Sequence, residues 1–416
     1  MGAVTSSYVL AVLSVLTRNR DFRRLFLAEL VVFGGDWFAV IPLLSLLQDL
    51  TGRGLWGSLA LAADTAMLAL LLPYAGTVAD RLNRRTILMV SSLAAIVAAA
   101  ALLGVRSPGV AWLGPVAIGA LAMAKAFYTP AASAALPNLV PVEDLATANA
   151  IAGSAWGTML VVGASLGGVV SALVGPYTCF LITIVCLVAA AALVWRIGTP
   201  MQAPREATHP PRAWAALREA GGYIRRRPRV LSLVTVKSAV GVGNGVLAVF
   251  PVLAASFGVG PIGLGLLFAA RGLGALCGPL LFRRLLLRRS WLLPGLAVSM
   301  AAYGLAYLGA SVSPWYPLVL VFVTVAHTAG GGNWVMSNYA LQLEVPDRLR
   351  GRVFATDMMI ATLAISVSLL VVGGLVDVLD PRLLVACCGA ATLLYAVGWR
   401  IATRRHTLAD ETIPAA

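Results

Sequence analysis

Residues 56–105 read WGSLALAADTAMLALLLPYAGTVADRLNRRTILMVSSLAAIVAAAALLGV. One apolar run, 56–79, ends on Asp80, Arg81, Arg84 and Arg85, and a second run, 86–105, follows at once. About 20 predominantly apolar residues cross the hydrocarbon core of a bilayer as a helix. The stretch therefore reads as two crossings joined by a short basic loop. Working outward, the same unit recurs. Spans are expected at 25–48, 56–79, 86–105, 110–134, 146–174 and 177–196, and again at 230–256, 261–282, 291–311, 315–342, 353–377 and 382–402. The chain is 60% hydrophobic and 12% charged, whereas soluble domains carry about 25% charged residues. Composition therefore excludes a soluble globule, and the expected class is an all-α membrane protein.

The basic residues orient it. Of 31 Lys and Arg, 25 fall on one set of alternating loops and only Arg53, Arg106 and Arg382 on the other. By the positive-inside rule, both termini and the arginine-rich loops are cytoplasmic, in a multi-pass plasma membrane protein. The net charge of +14 is not a nucleic-acid footprint, because the arginines mark helix ends rather than one patch. The five cysteines all lie in apolar runs and read as small packing residues. Residues 8–16 are apolar but too short to span, and read as an interfacial helix leading to Arg18, Arg20, Arg23 and Arg24. Among the longer segments only 199–228 is polar. Pro200, Pro204, Pro210 and Pro211 break it, and from Ala213 a helical pattern places Trp214, Leu217 and Ile224 on one face. The expected divisions are an interfacial segment 1–24, a six-helix bundle 25–196, a linker 197–229, a second six-helix bundle 230–403 and a tail 404–416.

The two halves look like copies. Gly76 and Gly278 both close the second span of their half, 202 residues apart. Val140-Pro141 and Val345-Pro346 both precede the fifth span, 205 apart, and Gly35-Asp36 and Gly243-Asn244 both sit inside the first, 208 apart. Agreement among these offsets implies a repeated six-helix unit, an arrangement whose interface holds the binding site in transporters.

The loop Gly76-Thr-Val-Ala-Asp80-Arg81-Leu-Asn-Arg84-Arg85 resembles the G-x-x-x-D-R-x-x-R-[RK] signature of the major facilitator superfamily, with Asn83 where glycine is usual. Other stretches are similar to the bacterial siderophore and macrolide exporters of that family. They are Phe22-Arg-Arg-Leu-Phe26, Gly35-Asp36, Asn138-Leu-Val-Pro141 before Ala148-Asn149, and Arg350-Gly-Arg-Val-Phe354. Gly163-Ala164-Ser-Leu-Gly167-Gly168 resembles the antiporter motif G-P-x-x-G-G, with alanine in place of proline. The second-half copy of the loop signature is degenerate, with Phe282 in place of the acid. The resemblance covers the whole chain. It implies two pseudo-symmetric bundles of six helices. It also implies that Asp80 holds the cytoplasmic side closed in the outward-facing state by facing the start of the eleventh span, near Gly351 to Phe354. A stop-transfer loop that only fixes topology is the plainer alternative.

Ionisable residues inside the spans cost at least ~2.5–3.5 kcal/mol each on insertion scales, so each needs a wet cavity or a partner. Glu29 and Asp36 lie seven apart on one face of span one. Asp64 is on span two, Lys125 on four, Lys237 on seven, Arg271 on eight, His327 on ten and Asp357 on eleven. Asp36, near mid-depth, is the candidate proton-linked acid, or alternatively half of a structural pair with Lys125 or Arg271. Glu29 is expected to pair with Lys237, and Asp64 to line the outer half of the cavity. Lys125 and Arg271 are counter-ions or anion binders. His327 and Asn333 are assigned to the cavity, beside Gly330-Gly331-Gly332, which should bend the helix into a gate; close packing against a neighbour is the alternative reading of the glycines.

There is no nucleotide-binding G-x-x-x-x-G-K-[ST] loop and no H-E-x-x-H. An enzyme, a metal site and a cofactor are therefore not expected. The function read is proton-coupled efflux of a hydrophobic or amphipathic small molecule by a monomer in the lipid bilayer. Uptake or facilitated diffusion, and a non-transporting receptor or assembly partner, are the alternatives. The cavity is expected among spans one, two, four, five, seven, eight, ten and eleven.

Overall fold

The computed structural model describes residues 14–202, 213–286 and 291–408, with the Asp80 side chain also outside what is described. The start of the N-terminal interfacial segment, Pro204, Pro210 and Pro211 in the linker, and the end of the tail lie outside the described residues. Among those described, twelve helices are long and apolar enough to cross a membrane: Arg20–Thr51, Leu55–Ala79, Arg84–Gly104, Pro108–Asn138, Gly157–Val174, Pro176–Trp195, Pro228–Ala248, Gly260–Phe282, Leu292–Ser311, Tyr316–Glu344, Leu349–Leu375 and Pro381–Arg404.

Local chemistry sets the ends. Span one stops at Gly52, whose left-handed φ of 65° lets its N–H close back on the Gln48 carbonyl. Asn83, where the loop signature usually has glycine, accepts from the Arg85 and Thr86 N–H groups and so caps span three. Prolines open spans six and seven, where a missing N–H costs nothing. Span seven is the irregular one. It runs as Pro228–Thr235 and Lys237–Gly243, tightens to a 3-10 turn over Asn244–Ala248, and resumes as Phe250–Ser256.

Helix pairing bears out the repeat. Spans one and five, one and six, two and four, three and four, and three and six pack together. Adding six to each number gives pairs that also pack: seven with eleven, seven with twelve, eight with ten, nine with ten, and nine with twelve. Two long seams join the halves, span two with eleven and span five with eight, and the same operation exchanges them. The five-to-eight seam is glycine-built. A Cβ on Gly168 would sit 2.6 Å from the Pro261 carbonyl oxygen, and one on Gly265 would sit 2.7 Å from that of Ala164. Lipid is as apolar as a side chain, so close backbone approach supplies much of the attraction between membrane helices.

These contacts run from the face opposite the arginines toward the middle of the membrane. At the arginine-rich face, a Cβ added to Gly76 of span two or Gly351 of span eleven would meet nothing within 4 Å. The two bundles thus make their close contacts toward the far face, and span two also meets the linker helix Ala213–Arg225.

The linker helix forms as expected, over Ala213–Arg225. Ala220 and Ile224 are buried against Val230, Leu233, Leu349 and Val353. Trp214 does not share that face; it is 83% exposed. Glu219 pairs with Arg352 at the start of span eleven, and the Tyr223 hydroxyl donates to the Glu344 carbonyl at 3.4 Å.

Candidate functional site

Spans one, two and four converge on a buried charge cluster. The Lys125 ammonium donates to Asp36 Oδ2 at 2.5 Å and to Asp64 Oδ1 at 2.8 Å. All three side chains are at most 15% exposed. The second oxygen of Asp36 is buried with no hydrogen-bond partner. It borders a small cleft inside the N-terminal half, lined by Ser91, Ser92, Lys125, Tyr128 and Thr183 among apolar neighbours. Of the two structural partners that the sequence offered Asp36, Lys125 and Arg271, the ammonium is the one in hydrogen-bond contact, and Asp64 is the second acid on it.

Glu29, two turns toward the basic face, is 7% exposed and makes no hydrogen bond or ion pair among the described residues. It lies within electrostatic reach of Tyr128, whose hydroxyl is also buried and unsatisfied. Its expected pairing with Lys237 does not occur. Lys237 instead pairs with Asp357 of span eleven, donates to Asn338 Oδ1 at 2.7 Å and lies 4.8 Å from the Trp334 ring centroid. Asp357 is one helix away from Lys237, whereas Glu29 belongs to the other half, and a buried charge takes the partner its own bundle supplies.

Arg271 of span eight crosses the boundary between halves. Its guanidinium lies over the Trp37 ring, 5.4 Å from the centroid, one residue along from Asp36. Asp64 is within its electrostatic reach. Trp37 also meets Phe268, which meets Phe250, giving an aromatic floor at the interface.

The two remaining candidates hydrogen-bond within the second half, and His327 is also within electrostatic reach of Arg271. His327 shares a hydrogen bond of 2.8 Å with the Tyr307 hydroxyl and stands edge-on to Tyr303, between spans nine and ten. Asn333 is fully buried and donates to Ser299 Oγ at 3.0 Å. Both satisfy polar groups within the second half's own core. The glycines between them do not interrupt the helix, which is continuous over Tyr316–Glu344. Cβ atoms on Gly331 and Gly278 would strike the backbone of the facing helix at 2.8 and 2.4 Å, so the triplet is a packing surface.

Comparison with known proteins settles the family. The Major Facilitator Superfamily profile matches residues 25–253 and 231–415, once for each half. The chain belongs to the major facilitator superfamily. It is 28% identical over 323 residues to an uncharacterized MFS-type transporter of Mycobacterium tuberculosis, covering 71% of this chain and 72% of that one. It is 25% identical over 382 residues to the multidrug efflux pump Tap of Mycolicibacterium fortuitum, covering 87% and 90%. Among solved structures, a POT family transporter in complex with 5-aminolevulinic acid superposes with a TM-score of 0.75 at 10% identity, covering 93% of this chain and 96% of that one. A bacterial homolog of the human lysosomal transporter Spinster, inward-facing and unoccupied, gives 0.70 at 15%, covering 95% and 97%. These last two establish the fold alone.

Within the major facilitator fold the signature loop is anchored to its own half. Arg84 donates to the carbonyls of Ala134 at 2.8 Å and Met201 at 3.0 Å, and Arg85 to that of Trp195. Arg81 is exposed. The glycines of the antiporter-like motif do two jobs. Gly163 and Gly167 let span five touch the span one backbone at Gly34 and Phe38, and Gly168 meets span eight. Sequence reading missed the ties at the basic face: Asp144 with Arg18 and Asn19, and Asp21 with the Gly198 and Thr199 N–H groups. An acid beside a helix start was the available signal for both.

Proposed function

We propose that this major facilitator transporter exports a hydrophobic or amphipathic small molecule in exchange for protons, and that the Asp36–Lys125–Asp64 cluster carries the proton. The observation behind this is a charge count. Two carboxylates face one ammonium, so the cluster is neutral only when it holds a proton or borrows a cation. A surplus charge at mid-membrane costs at least ~2.5–3.5 kcal/mol. Arg271, a cation of the other half, lies over Trp37 and within reach of Asp64. Relative motion of the halves then changes the balance. With Arg271 close, both acids are tolerated and a proton can leave toward the basic face. With Arg271 withdrawn, a proton makes up the difference from the other side.

The positive-inside asymmetry makes the basic face cytoplasmic, so protons leave inward as substrate leaves outward. Likeness to an efflux pump supports both the substrate class and the direction. Proteoliposomes test it. Asp36→Asn should abolish accumulation driven by a pH gradient, by at least ~10-fold, while exchange at equal pH persists. Undiminished gradient-driven transport by that variant would sink the proton assignment.

A further inference from the structure

The far-face seam between spans two and eleven contains an acid to which neither the sequence nor the family signature draws attention. The helix of span two begins at Leu55 after Gly54, which has no side chain to cap it, and its first turn holds no acidic residue. Its leading N–H groups therefore need acceptors from elsewhere. Asp377, beyond the end of span eleven, supplies them across the boundary between halves. Its carboxylate accepts from the Gly54 N–H at 2.6 Å and the Leu55 N–H at 3.3 Å. The contact heads an antiparallel seam with one touch per turn or two. Gly373 lies so close to Ser58 that a Cβ on the glycine would be 2.3 Å from the serine Cβ, and the Ser366 hydroxyl donates to the Ala62 carbonyl at 3.1 Å.

We infer that Asp377 is the far-face latch of the transport cycle, a carboxylate that caps span two while that face is shut and must let go before it opens. The inference rests on the alternating-access reading given above. It mirrors the role that the family resemblance implies for Asp80, at the end of span two, toward the start of span eleven at the opposite face. The same two helices would then trade one carboxylate–helix contact for another as the halves rock. A carboxylate at a helix N-terminus meets both the unpaired N–H groups and the positive end of the helix dipole. Its loss therefore favours whichever state does not use it. Because Asp377 is on the surface and outside both half-cores, removing it should alter the balance of states more than the integrity of either bundle.

Spin-label distances on the full-length chain test this. One pair reports the far face (Arg53→Cys with Asp380→Cys) and one the basic face (Leu82→Cys with Gly351→Cys), with the native cysteines replaced. Asp377→Ala should raise the population with a long far-face distance about fivefold, the weight of one helix cap, and shorten the basic-face distance in step. Asp377→Asn keeps an oxygen acceptor and should shift the same way by less. Unchanged distances in Asp377→Ala, or lengthening at both faces together, would overturn the latch. If the unsubstituted protein holds one distance at each face at every pH and with every substrate tried, alternating access itself fails and the latch falls with it. A wild type that alternates beside an Asp377→Ala variant that matches it sinks the latch alone.

Discussion

The chain has two lysines, each buried against aspartate, and charge counting separates them. Lys237 meets one acid, Asp357, so that pair is neutral without a proton and has no reason to take one up. Lys125 meets two, and the surplus is what a proton can answer. Lys237→Met should therefore leave Asp357 buried and alone and destabilise the protein by about 3–5 kcal/mol. Lys237→Met with Asp357→Leu should recover most of that loss, since an apolar pair of similar volume is often tolerated. Thermal unfolding of the purified variants reads both; a double variant no more stable than the single would mean the pair does more than balance charge. Asp36→Asn, in contrast, leaves Lys125 a partner in Asp64, so its unfolding temperature should move little while coupled transport is lost. The sequence exposed all of these ionisable groups, because a charge in an apolar run stands out. Their partners were harder to read. Glu29 was matched to the wrong lysine because depth along a helix can be counted from sequence, whereas the direction a side chain faces depends on how the helix is rotated against its neighbours.

At the scale of elements, glycines carried the ambiguity. Gly330-Gly331-Gly332 satisfies two opposite readings, a loosened helix or one that lets a neighbour approach, and only the facing surface decides. That surface is span eight, whose Ala275 carbonyl oxygen lies 2.8 Å from where a Gly331 Cβ would be. Gly331→Ala should therefore strain the contact between spans eight and ten and cost about 1–3 kcal/mol, lowering the unfolding temperature. A gate hinge would instead lose transport at unchanged stability, so measuring both separates the cases. His327 and Asn333 were drawn toward the cavity by the same neighbourhood, yet their partners, Tyr307 and Ser299, lie on span nine of the same half. Most spans were legible to within a few residues, because hydropathy and end-of-helix arginines are local signals. The break in span seven at Asn244–Ala248 was marked in sequence only as a glycine-asparagine pair answering the glycine-aspartate pair of span one, where the helix continues unbroken. The packing around the two pairs differs: a Cβ on Gly243 would lie 2.5 Å from both Tyr303 and Thr392, while one on Gly35 would come no nearer than 3.7 Å to Thr183.

For the whole molecule, the two seams are equivalent under the repeat, so a transporter of this build can trade one closed face for the other only by breaking contacts in both at once. The five-to-eight seam is the stricter of the two at the far face, because backbone meets backbone there and nothing can swing aside. A valine at position 168 would place its Cβ 2.6 Å from the Pro261 carbonyl oxygen. The closed far face could admit it only by moving the two helices apart. Overpacking of this kind costs about 1–3 kcal/mol, and the cost falls on one conformation only, since the contact exists only while the far face is shut. Gly168→Val should therefore convert much of the population to the state open at the far face, by roughly 5- to 150-fold at that cost. Net transport should slow while each bundle still unfolds at its usual temperature. Spin labels across the five-to-eight seam would show the separation. If they report the unsubstituted distance and transport keeps its rate, the seam yields locally, and the two halves do not move as the rigid bodies on which charge exchange between Arg271 and the Asp36 cluster depends.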